Sequence, residues 1–320
     1  YTVTEGVCEK IMAARIFELP KEHELTKDQR MAIRLPADGQ YLVVGAPGTG
    51  KSVVALMRLR KYAATNETLF LSYNHVLNHA NKVLAGPDEN FHMNTAMSWL
   101  YDFQYKAAGG SQANFEQAKM PEIEKHKPDY EALINRFEEL GASCSSANFI
   151  IDEGQDLPPE WYEAVEALNV ENFFIVADQN QQITEQNSSQ SDLMDALGLE
   201  KDDVIHLKEN WRNTTPISAF ANYFYTDKSS EKPALPKKPS AHVPILYEYK
   251  MRDNAKELIL SSYDNDPSKL IGLFVANENK REFWARNLKN DNKQRREAPP
   301  IVSTYYSDQK GLVNIDFSQG

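Results

Sequence analysis

The sequence predicts an α/β fold in which a parallel β-sheet carries helices on both faces. Short apolar segments alternate along the chain with segments of helical spacing, and turn residues separate the two kinds. One apolar segment runs directly into a glycine-rich turn and then a helix, "YLVVGAPGTGKSVVAL", as in nucleotide-binding members of this fold class. The five candidate strands of this part are Tyr41–Val44, Thr68–Ser72, Asn148–Ile151, Phe173–Val176 and Val204–Leu207.

Two stretches interrupt this alternation. Residues Tyr101–Ala147 are charged and lack a clear strand, so we expect a largely helical insertion that stands out from the sheet. Residues Thr226–Pro244 are rich in Pro, Lys and Ser and predict a loop. After this loop, the strand-like segments "ILYEYK" and "LIGLFVAN" alternate with the helical segments "NAKELILSSY" and "KREFWARNLKN". We therefore predict a first domain over residues 1–212 and a second α/β domain over residues 213–320.

The composition is typical of a globular chain, with 320 residues, 41% hydrophobic and 25% charged. No apolar run approaches the roughly 20 residues of a membrane span. The start, "YTVTEGVCEK", contains no signal peptide and no Met, so we expect a cytoplasmic protein whose natural start lies outside this sequence. Cys8 and Cys144 form no C-x-x-C pair and predict neither a disulfide scaffold nor a zinc site. A formal charge of −11 argues against strong overall electrostatic attraction to nucleic acid, but it does not exclude a locally basic groove.

The glycine-rich turn matches the phosphate-binding pattern G-x-x-x-x-G-K-S. A strand before it and a helix after it direct backbone N–H groups and the positive end of the helix dipole at one point. Glycines let the backbone approach an anion, the lysine reaches the β- and γ-phosphates, and the serine hydroxyl ligates Mg²⁺. The motif therefore predicts a nucleoside triphosphate site formed by Gly45, Gly48, Thr49, Gly50, Lys51 and Ser52.

A second acidic motif follows another apolar strand, in "FIIDEGQDL". In a sheet that carries a phosphate loop, the end of such a strand is where a Mg²⁺-ligating carboxylate and a water-activating base are needed. We assign these roles to Asp152 and Glu153, since Gln155 and Asp156 continue the motif.

These motifs resemble those of the UvrD/PcrA/Rep-like superfamily 1 helicases, whose second Walker motif reads D-E-x-Q-D. "LTKDQRMAI" is similar to the family's glutamine motif, which implies that Gln29 contacts the adenine. "FIVADQNQQI" resembles G-D-x-x-Q with Ala177 in the glycine position, which implies that Gln181 senses the γ-phosphate. "LKENWRNTTPI" resembles L-x-x-N-Y-R-S-T, which implies a γ-phosphate contact from Arg212 and base stacking by Trp211. The resemblance implies a RecA-like P-loop core that uses ATP and Mg²⁺.

Two further segments resemble those that line the single-strand groove in the family, "TLFLSYNHVL" and "MNTAMSWLYDF". The resemblance implies single-stranded DNA as the partner and 3′-to-5′ movement along it, with RNA left open. The resemblance is strong over about the first two thirds of the chain. In the remainder, only the alternation of strand-like and helical segments agrees with the family. The implied nucleic-acid contacts are Ser72, Tyr73, Asn74, Thr95, Ser98 and Trp99.

The second half departs from the family pattern. Family members carry K-G-L-E-F in the second domain, whereas Val313 and Asn314 follow Gly311 and Leu312 in "DQKGLVNIDF". We expect this segment to precede the true motif. On that interpretation the chain stops before the family's last motifs, and the second RecA-like domain is incomplete.

Several of these residues also have simpler interpretations. Trp211 and Tyr73 could be core aromatic residues, and Trp99 has helical spacing from Phe103 in the same segment. His75 and His79 are spaced for one helix face, but no third ligand is evident for a metal, and a solvated helix face explains them.

Two functional interpretations remain open. The first is an ATP-driven translocase or helicase on single-stranded nucleic acid, which the order of the motifs favours. The second is a regulatory ATPase module that signals to a protein partner such as a nuclease without processive unwinding, which the acidic charge and the missing motifs favour. A P-loop kinase is a distant third, because Gln29, Gln181 and Arg212 would have no role in it.

Overall fold

The computed structural model describes residues 18–110, 118–125, 127–178, 187–225, 234–248, 252–266, 271–292, 303–304 and 315–316. The chain divides into two compact units, Tyr1–Val243 and Pro244–Gly320. The division falls in the predicted loop Thr226–Pro244 and therefore later in the chain than the predicted domain boundary after residue 212.

The first unit is built on a six-stranded parallel sheet with the order β3-β2-β6-β7-β1-β8. All five predicted strands are confirmed. The additional strand, β3, was missed because three of its four residues, His92, Asn94 and Thr95, are polar. The strands of this sheet are β1 (Gln40–Gly45), β2 (Thr68–Ser72), β3 (His92–Thr95), β6 (Asn148–Asp152), β7 (Asn172–Ala177) and β8 (Ile205–Leu207). This is the RecA-like P-loop architecture predicted for the first domain.

Helices connect the strands and cover both faces of the sheet. Most of the described helices start at a side-chain cap and two end at a left-handed glycine; for example, Thr26 caps the first helix and Gly198 ends the seventh. The helices of the first unit that lie wholly in described residues are α1 (Lys27–Arg34), α2 (Lys51–Tyr62), α3 (His75–Ala85), α4 (Ala96–Ala107), α5 (Tyr130–Leu140), α6 (Pro159–Glu166), α7 (Gln190–Leu197) and α8 (Thr215–Ala221). Short 3₁₀ turns in the described ranges lie at Glu22–Glu24, Gly154–Asp156, Lys201–Asp203 and Asn222–Phe224.

The core consists of two apolar layers, one on each face of the sheet. Because successive strand residues point to opposite faces, Phe149 and Ile151 of β6 belong to one layer and Ile150 belongs to the other. Burial on both faces explains why these strands are apolar throughout rather than at alternate positions.

In its described residues, 101–110, 118–125 and 127–147, the predicted insertion packs on the core instead of standing out from the sheet. It contains most of α4, a short antiparallel pair formed by β4 (Glu122–Glu124) and β5 (Lys127–Pro128), and α5. Leu133 and Phe137 of α5 are fully buried in the same layer as Phe149 of the central strand. The charged residues that suggested an insertion are on the outer face of an amphipathic helix whose inner face packs on the core.

The second unit contains the two predicted helices, α9 (Arg252–Asn265) and α10 (Glu278–Asn292). In the described ranges 244–248 and 271–277, however, the two strand-like segments form no strand. Leu246 is 87% exposed and Phe274 98% exposed, so no described neighbour covers their side chains. The strands found in this unit are a short antiparallel pair, β9 (Ser303–Thr304) and β10 (Ile315–Asp316). Among the described residues of the whole chain, no helix is both long and apolar enough to cross a membrane.

Candidate nucleotide-binding site

The phosphate loop joins the carboxyl end of β1 to the first turn of α2. β1 ends at Gly45 and α2 begins at Lys51, so the helix dipole points at the loop, as predicted. Gly48 and Gly50 have φ angles of 86° and 87°, in the left-handed region that favours glycine. A Cβ at Gly48 would also lie only 2.5 Å from Asn210 Oδ1. The cradle therefore requires glycine for both conformation and space.

Lys51 is buried inside this loop. Its Nζ donates to the carbonyl oxygen of Gly45 at 2.8 Å and forms an ion pair with Asp178 Oδ2 at 3.0 Å. The exposed fractions of the two side chains are 6% and 2%. Asp178 directly follows β7, so in this structure a carboxylate neutralises the lysine that would face the phosphates.

Asp152 stands at the carboxyl end of β6, beside the start of α2. Its Oδ1 accepts a hydrogen bond from Ser52 Oγ at 3.1 Å, and its Oδ2 accepts one from Asn81 Nδ2 at 2.9 Å. Burial, and secondarily the neighbouring Glu153 carboxylate, raise the pKa of Asp152 to about 6. Hydroxyl and carboxylate oxygens are ligands that Mg²⁺ prefers, and Mg²⁺ needs few of them from the protein. The pair of Ser52 and Asp152 therefore fits the predicted Mg²⁺ site.

Glu153 is one of two described residues other than glycine with a positive φ, which is 57°. Such a conformation costs free energy and is frequent at functional sites. Gln155 Nε2 donates to Glu153 Oε2 at 2.9 Å, while Gln155 Oε1 accepts the backbone N–H of Asp178 at 2.9 Å. The buried amide of Gln155 thus connects the ends of β6 and β7 and restrains the proposed base.

The segment that follows β8 lies against the phosphate loop. Asn210 Nδ2 donates to the Pro47 carbonyl at 2.9 Å, and the backbone N–H of Trp211 donates to the Gly48 carbonyl at 3.0 Å. Trp211 is 58% exposed, which argues against the core interpretation, and Arg212 is exposed as well. The structure therefore brings Trp211 and Arg212 to the loop.

Gln29 contacts the phosphate loop from the other side. Its Nε2 donates to the Thr49 carbonyl at 2.8 Å, and its Oε1 accepts the backbone N–H of Thr26 at 2.9 Å. Both amide atoms are thus engaged within the protein, and the adenine contact stays a prediction. Gln181 lies outside the described residues. Residues 308–314 of the "DQKGLVNIDF" segment, which include Val313 and Asn314, also lie outside them.

The predicted nucleic-acid contacts gather at the same edge of the sheet. Ser72 and Thr95 are register partners at the ends of β2 and β3, and both are buried. Thr95 Oγ1 accepts the N–H of Ser98 and so caps α4, while Asn74 caps α3. Tyr73, between the strand and the helix, is exposed.

Trp99 has a different environment from the other predicted contacts. Its ring lies 4.9 Å from that of Phe149 and 5.3 Å from that of Phe103, centroid to centroid, and it also approaches Trp161. These contacts favour the core interpretation over base stacking.

Sequence reasoning assigned no role to three residues of the site, Asn81, Asp178 and Asn210. Asp178 had a signal, because it follows an apolar strand in the same way as Asp152. Asn210 also had a signal, because it stands at the Asn of the L-x-x-N-Y-R-S-T pattern. Asn81 had none, because an asparagine within a helix has no pattern of its own. Among the described residues, no group of three or more His, Cys, Asp or Glu side chains is arranged to hold a metal.

Comparison with known proteins finds similarity only at the level of structure. No protein-family profile and no curated sequence matches the chain. Pif1 from Bacteroides sp., solved in complex with ADP-AlF4, aligns with a TM-score of 0.33 and 13% identity over 63% of this chain and 47% of that one. The Pif1 helicase from Candida albicans aligns with a TM-score of 0.44 and 12% identity over 88% and 57%. The chain thus spans about half the length of these proteins. Likeness this distant assigns no activity, and the UvrD/PcrA/Rep-like relationship stays a prediction.

Proposed function

We propose that this chain is an ATP-hydrolysing motor that moves on single-stranded nucleic acid. One observation carries the proposal. The carboxyl edge of a single parallel sheet brings together the phosphate loop, the Ser52–Asp152 pair, Glu153 and the segment around Arg212. A phosphate cradle, oxygen ligands for Mg²⁺, a general base and a cation are the parts that phosphoryl transfer to water requires.

Each residue of the site has a separate part in this proposed hydrolysis of ATP. The loop N–H groups and Lys51 hold the β- and γ-phosphates, and Lys51 exchanges its bond to Asp178 for one to the phosphate. Ser52 and Asp152 hold Mg²⁺, which supplies positive charge against the phosphates when bound. Glu153 accepts a proton from the attacking water. Following the resemblance, we assign γ-phosphate contacts to Arg212 and Gln181 and base stacking to Trp211.

The nucleic-acid part of the proposal rests on Tyr73 and Asn74. Both residues follow β2. The last residue of β2, Ser72, is the register partner of Asp152, so Tyr73 and Asn74 lie at the same sheet edge as Asp152. An exposed aromatic ring at such a place can stack on a base. The choice of DNA, the 3′-to-5′ direction and the assignment of residues 213–320 to a second RecA-like domain follow from the family resemblance and belong to this proposal.

The test is the ATPase rate of the chain, measured alone and with single-stranded DNA or single-stranded RNA. We expect hydrolysis that needs Mg²⁺ and rises with one of the two polymers, and loss of hydrolysis in Lys51→Ala as a control. Hydrolysis that neither polymer stimulates would contradict the motor.

A regulatory ATPase module that signals to a partner such as a nuclease is the second candidate. The formal charge of −11 favours it, because an acidic surface repels nucleic acid. An unwinding assay on a duplex with a single-stranded 3′ or 5′ tail separates the two candidates. The motor displaces the paired strand on one of these substrates, whereas the module hydrolyses ATP without displacing it.

A further inference from the structure

The carboxylate of Asp152, the predicted Mg²⁺ ligand, accepts hydrogen bonds from two different helices. Ser52 on α2 donates to Oδ1 of Asp152, and Asn81 on α3 donates to Oδ2. Asn81 is 71 positions from Asp152 in the chain and is 4% exposed, so this hydrogen bond is long-range and shielded from solvent. A cation held by Ser52 and Asp152 would compete with the hydrogen bond between them, whereas Asn81 binds the other carboxylate oxygen.

The helix that carries Asn81 begins at the proposed nucleic-acid contact. Asn74 caps α3 by accepting the N–H of Leu77 at 2.9 Å, and α3 packs against α2, β2 and β3. Asn74 and Asn81 are about two turns apart at 3.6 residues per turn, so they lie on the same side of the helix. A displacement of the capped end is transmitted along the helix, because its backbone hydrogen bonds keep it stiff.

The burial of Asn81 indicates a specific role. A buried amide costs free energy unless it is paired, and an apolar residue at this position would add to the core instead. Its partner is a carboxylate, and a hydrogen bond to a charged group is stronger than one to a neutral group. Asn78, one turn earlier, is equally buried, and its Oδ1 accepts no hydrogen bond from the described residues.

We propose that Asn81 is a positioning residue that couples the orientation of Asp152 to the occupancy of a nucleic-acid site at the amino end of α3. This inference rests on the proposed function and adds a route by which a bound strand and a bound nucleotide influence each other. Because such coupling is reciprocal, the nucleotide changes the affinity for the strand by the same factor as the strand changes the affinity for the nucleotide.

The experiment measures this coupling by binding. The affinity for a fluorescein-labelled oligothymidine is titrated with and without a non-hydrolysable ATP analogue and Mg²⁺, in the complete chain. We expect the analogue to change the wild-type affinity by about 5-fold or more, the lower end of ordinary allosteric coupling. In Asn81→Leu, which is similar in size but has no donor, we expect the factor to fall below about 2-fold while each ligand alone still binds.

Asn78→Leu is the matched control, and it should keep the wild-type factor. If thermal melting shows that Asn81→Leu does not fold, the coupling factor is measured in Asn81→Ser instead. The serine side chain is too short to reach the carboxylate, and the substitution disturbs the fold less. A wild-type factor in Asn81→Leu or Asn81→Ser, or an equal loss in Asn78→Leu, would overturn the role of Asn81. If the wild-type chain neither hydrolyses ATP nor binds the oligonucleotide, the proposed function itself fails, and the inference fails with it.

Discussion

Two cations among the described residues of the first unit, Lys51 and Arg58, are buried near opposite edges of the same sheet, and their partners differ. At the carboxyl edge, Lys51 is paired with the carboxylate of Asp178. Toward the amino edge, Arg58 of α2 is 2% exposed and forms no ion pair among the described residues. Its guanidinium donates to the backbone carbonyls of Ala32, Leu35 and Pro36. It also lies 4.1 Å from the ring centroid of Phe174.

The difference separates a structural cation, Arg58, from the cation that we propose binds phosphate, Lys51. Neutral carbonyls and aromatic rings hold Arg58 permanently, and burial lowers its pKa to about 10, which leaves it charged at neutral pH. By tying the end of α1 and the chain after it to α2, Arg58 stabilises the helix that starts at the phosphate loop. Lys51 has an ionic partner that a phosphate can replace. Arg58→Ala tests the structural cation, and the substitutions after it test the candidate site around Lys51, from the largest expected change in free energy to the smallest.

Arg58→Ala should produce the largest change in stability. It leaves a cavity under three aromatic rings and three carbonyl acceptors without their donor, so we expect the free energy of unfolding to fall by about 3–5 kcal/mol. Urea denaturation followed by circular dichroism measures this. Arg60→Ala, on the same helix but with its side chain near the surface, should cost about 1 kcal/mol or less. Equal losses in the two variants would show that Arg58 has no special structural role.

Glu153→Gln should change turnover rather than stability. Removal of a general base slows hydrolysis by about 10²-fold or more, which corresponds to about 2.7 kcal/mol in activation free energy. Because the loop and the Mg²⁺ ligands are untouched, the variant should still bind ATP with Mg²⁺. Single-turnover hydrolysis and equilibrium nucleotide binding give the two quantities. Turnover at the wild-type rate would remove Glu153 from the role of base.

Gln29→Ala should weaken the binding of both ATP and GTP. The variant loses the hydrogen bond that anchors the Thr49 carbonyl, and one buried hydrogen bond contributes about 0.5–1.5 kcal/mol, or up to about tenfold in affinity. A loss common to both nucleotides reports this anchor. An additional narrowing of the preference for ATP reports the adenine contact implied by the family resemblance. Unchanged affinity for both nucleotides would contradict both roles.

Asp156→Asn should have the smallest effect, on stability and in a pH-dependent way. Burial, and after it the Glu153 carboxylate, raise the pKa of Asp156 from 3.8 to about 6. The folded state thus binds this proton more tightly than the unfolded state, and the ionised carboxyl destabilises the fold at neutral pH. A shift of this size corresponds to at most about 3 kcal/mol. Asp156 is only 7% exposed, but the effective dielectric constant of even a buried site is well above that of dry protein, so we expect about 1 kcal/mol.

The variant should therefore melt about 2–4 °C higher than the wild type at pH 7. The difference should shrink as the pH falls from about 6 toward 4, because the wild-type carboxyl then becomes protonated. Thermal melts of the two proteins at matched pH test this, since other groups titrate in both. A difference that grows as the pH falls would contradict the assignment.

The sequence by itself determined the features that depend on neighbouring residues. The five predicted strands of the sheet, the glycine conformations of the phosphate loop and the placement of Asp152 and Glu153 after an apolar strand all follow from local patterns. The exposed position of Trp211 also agrees with its polar neighbours. These predictions held because apolar runs and glycine-rich turns restrict the backbone whatever lies around them.

Only the tertiary structure decided which distant residues meet. Lys51 pairs with Asp178 across 127 positions of the chain, and Asn81 reaches Asp152 across 71. Both contacts follow from the strand order β3-β2-β6-β7-β1-β8, which no local pattern encodes. The packing of α5 on the core and the exposure of the strand-like segment around Phe274 have the same origin. A helix face or a strand becomes part of a core only when another element covers it, and that partner is chosen by the whole fold.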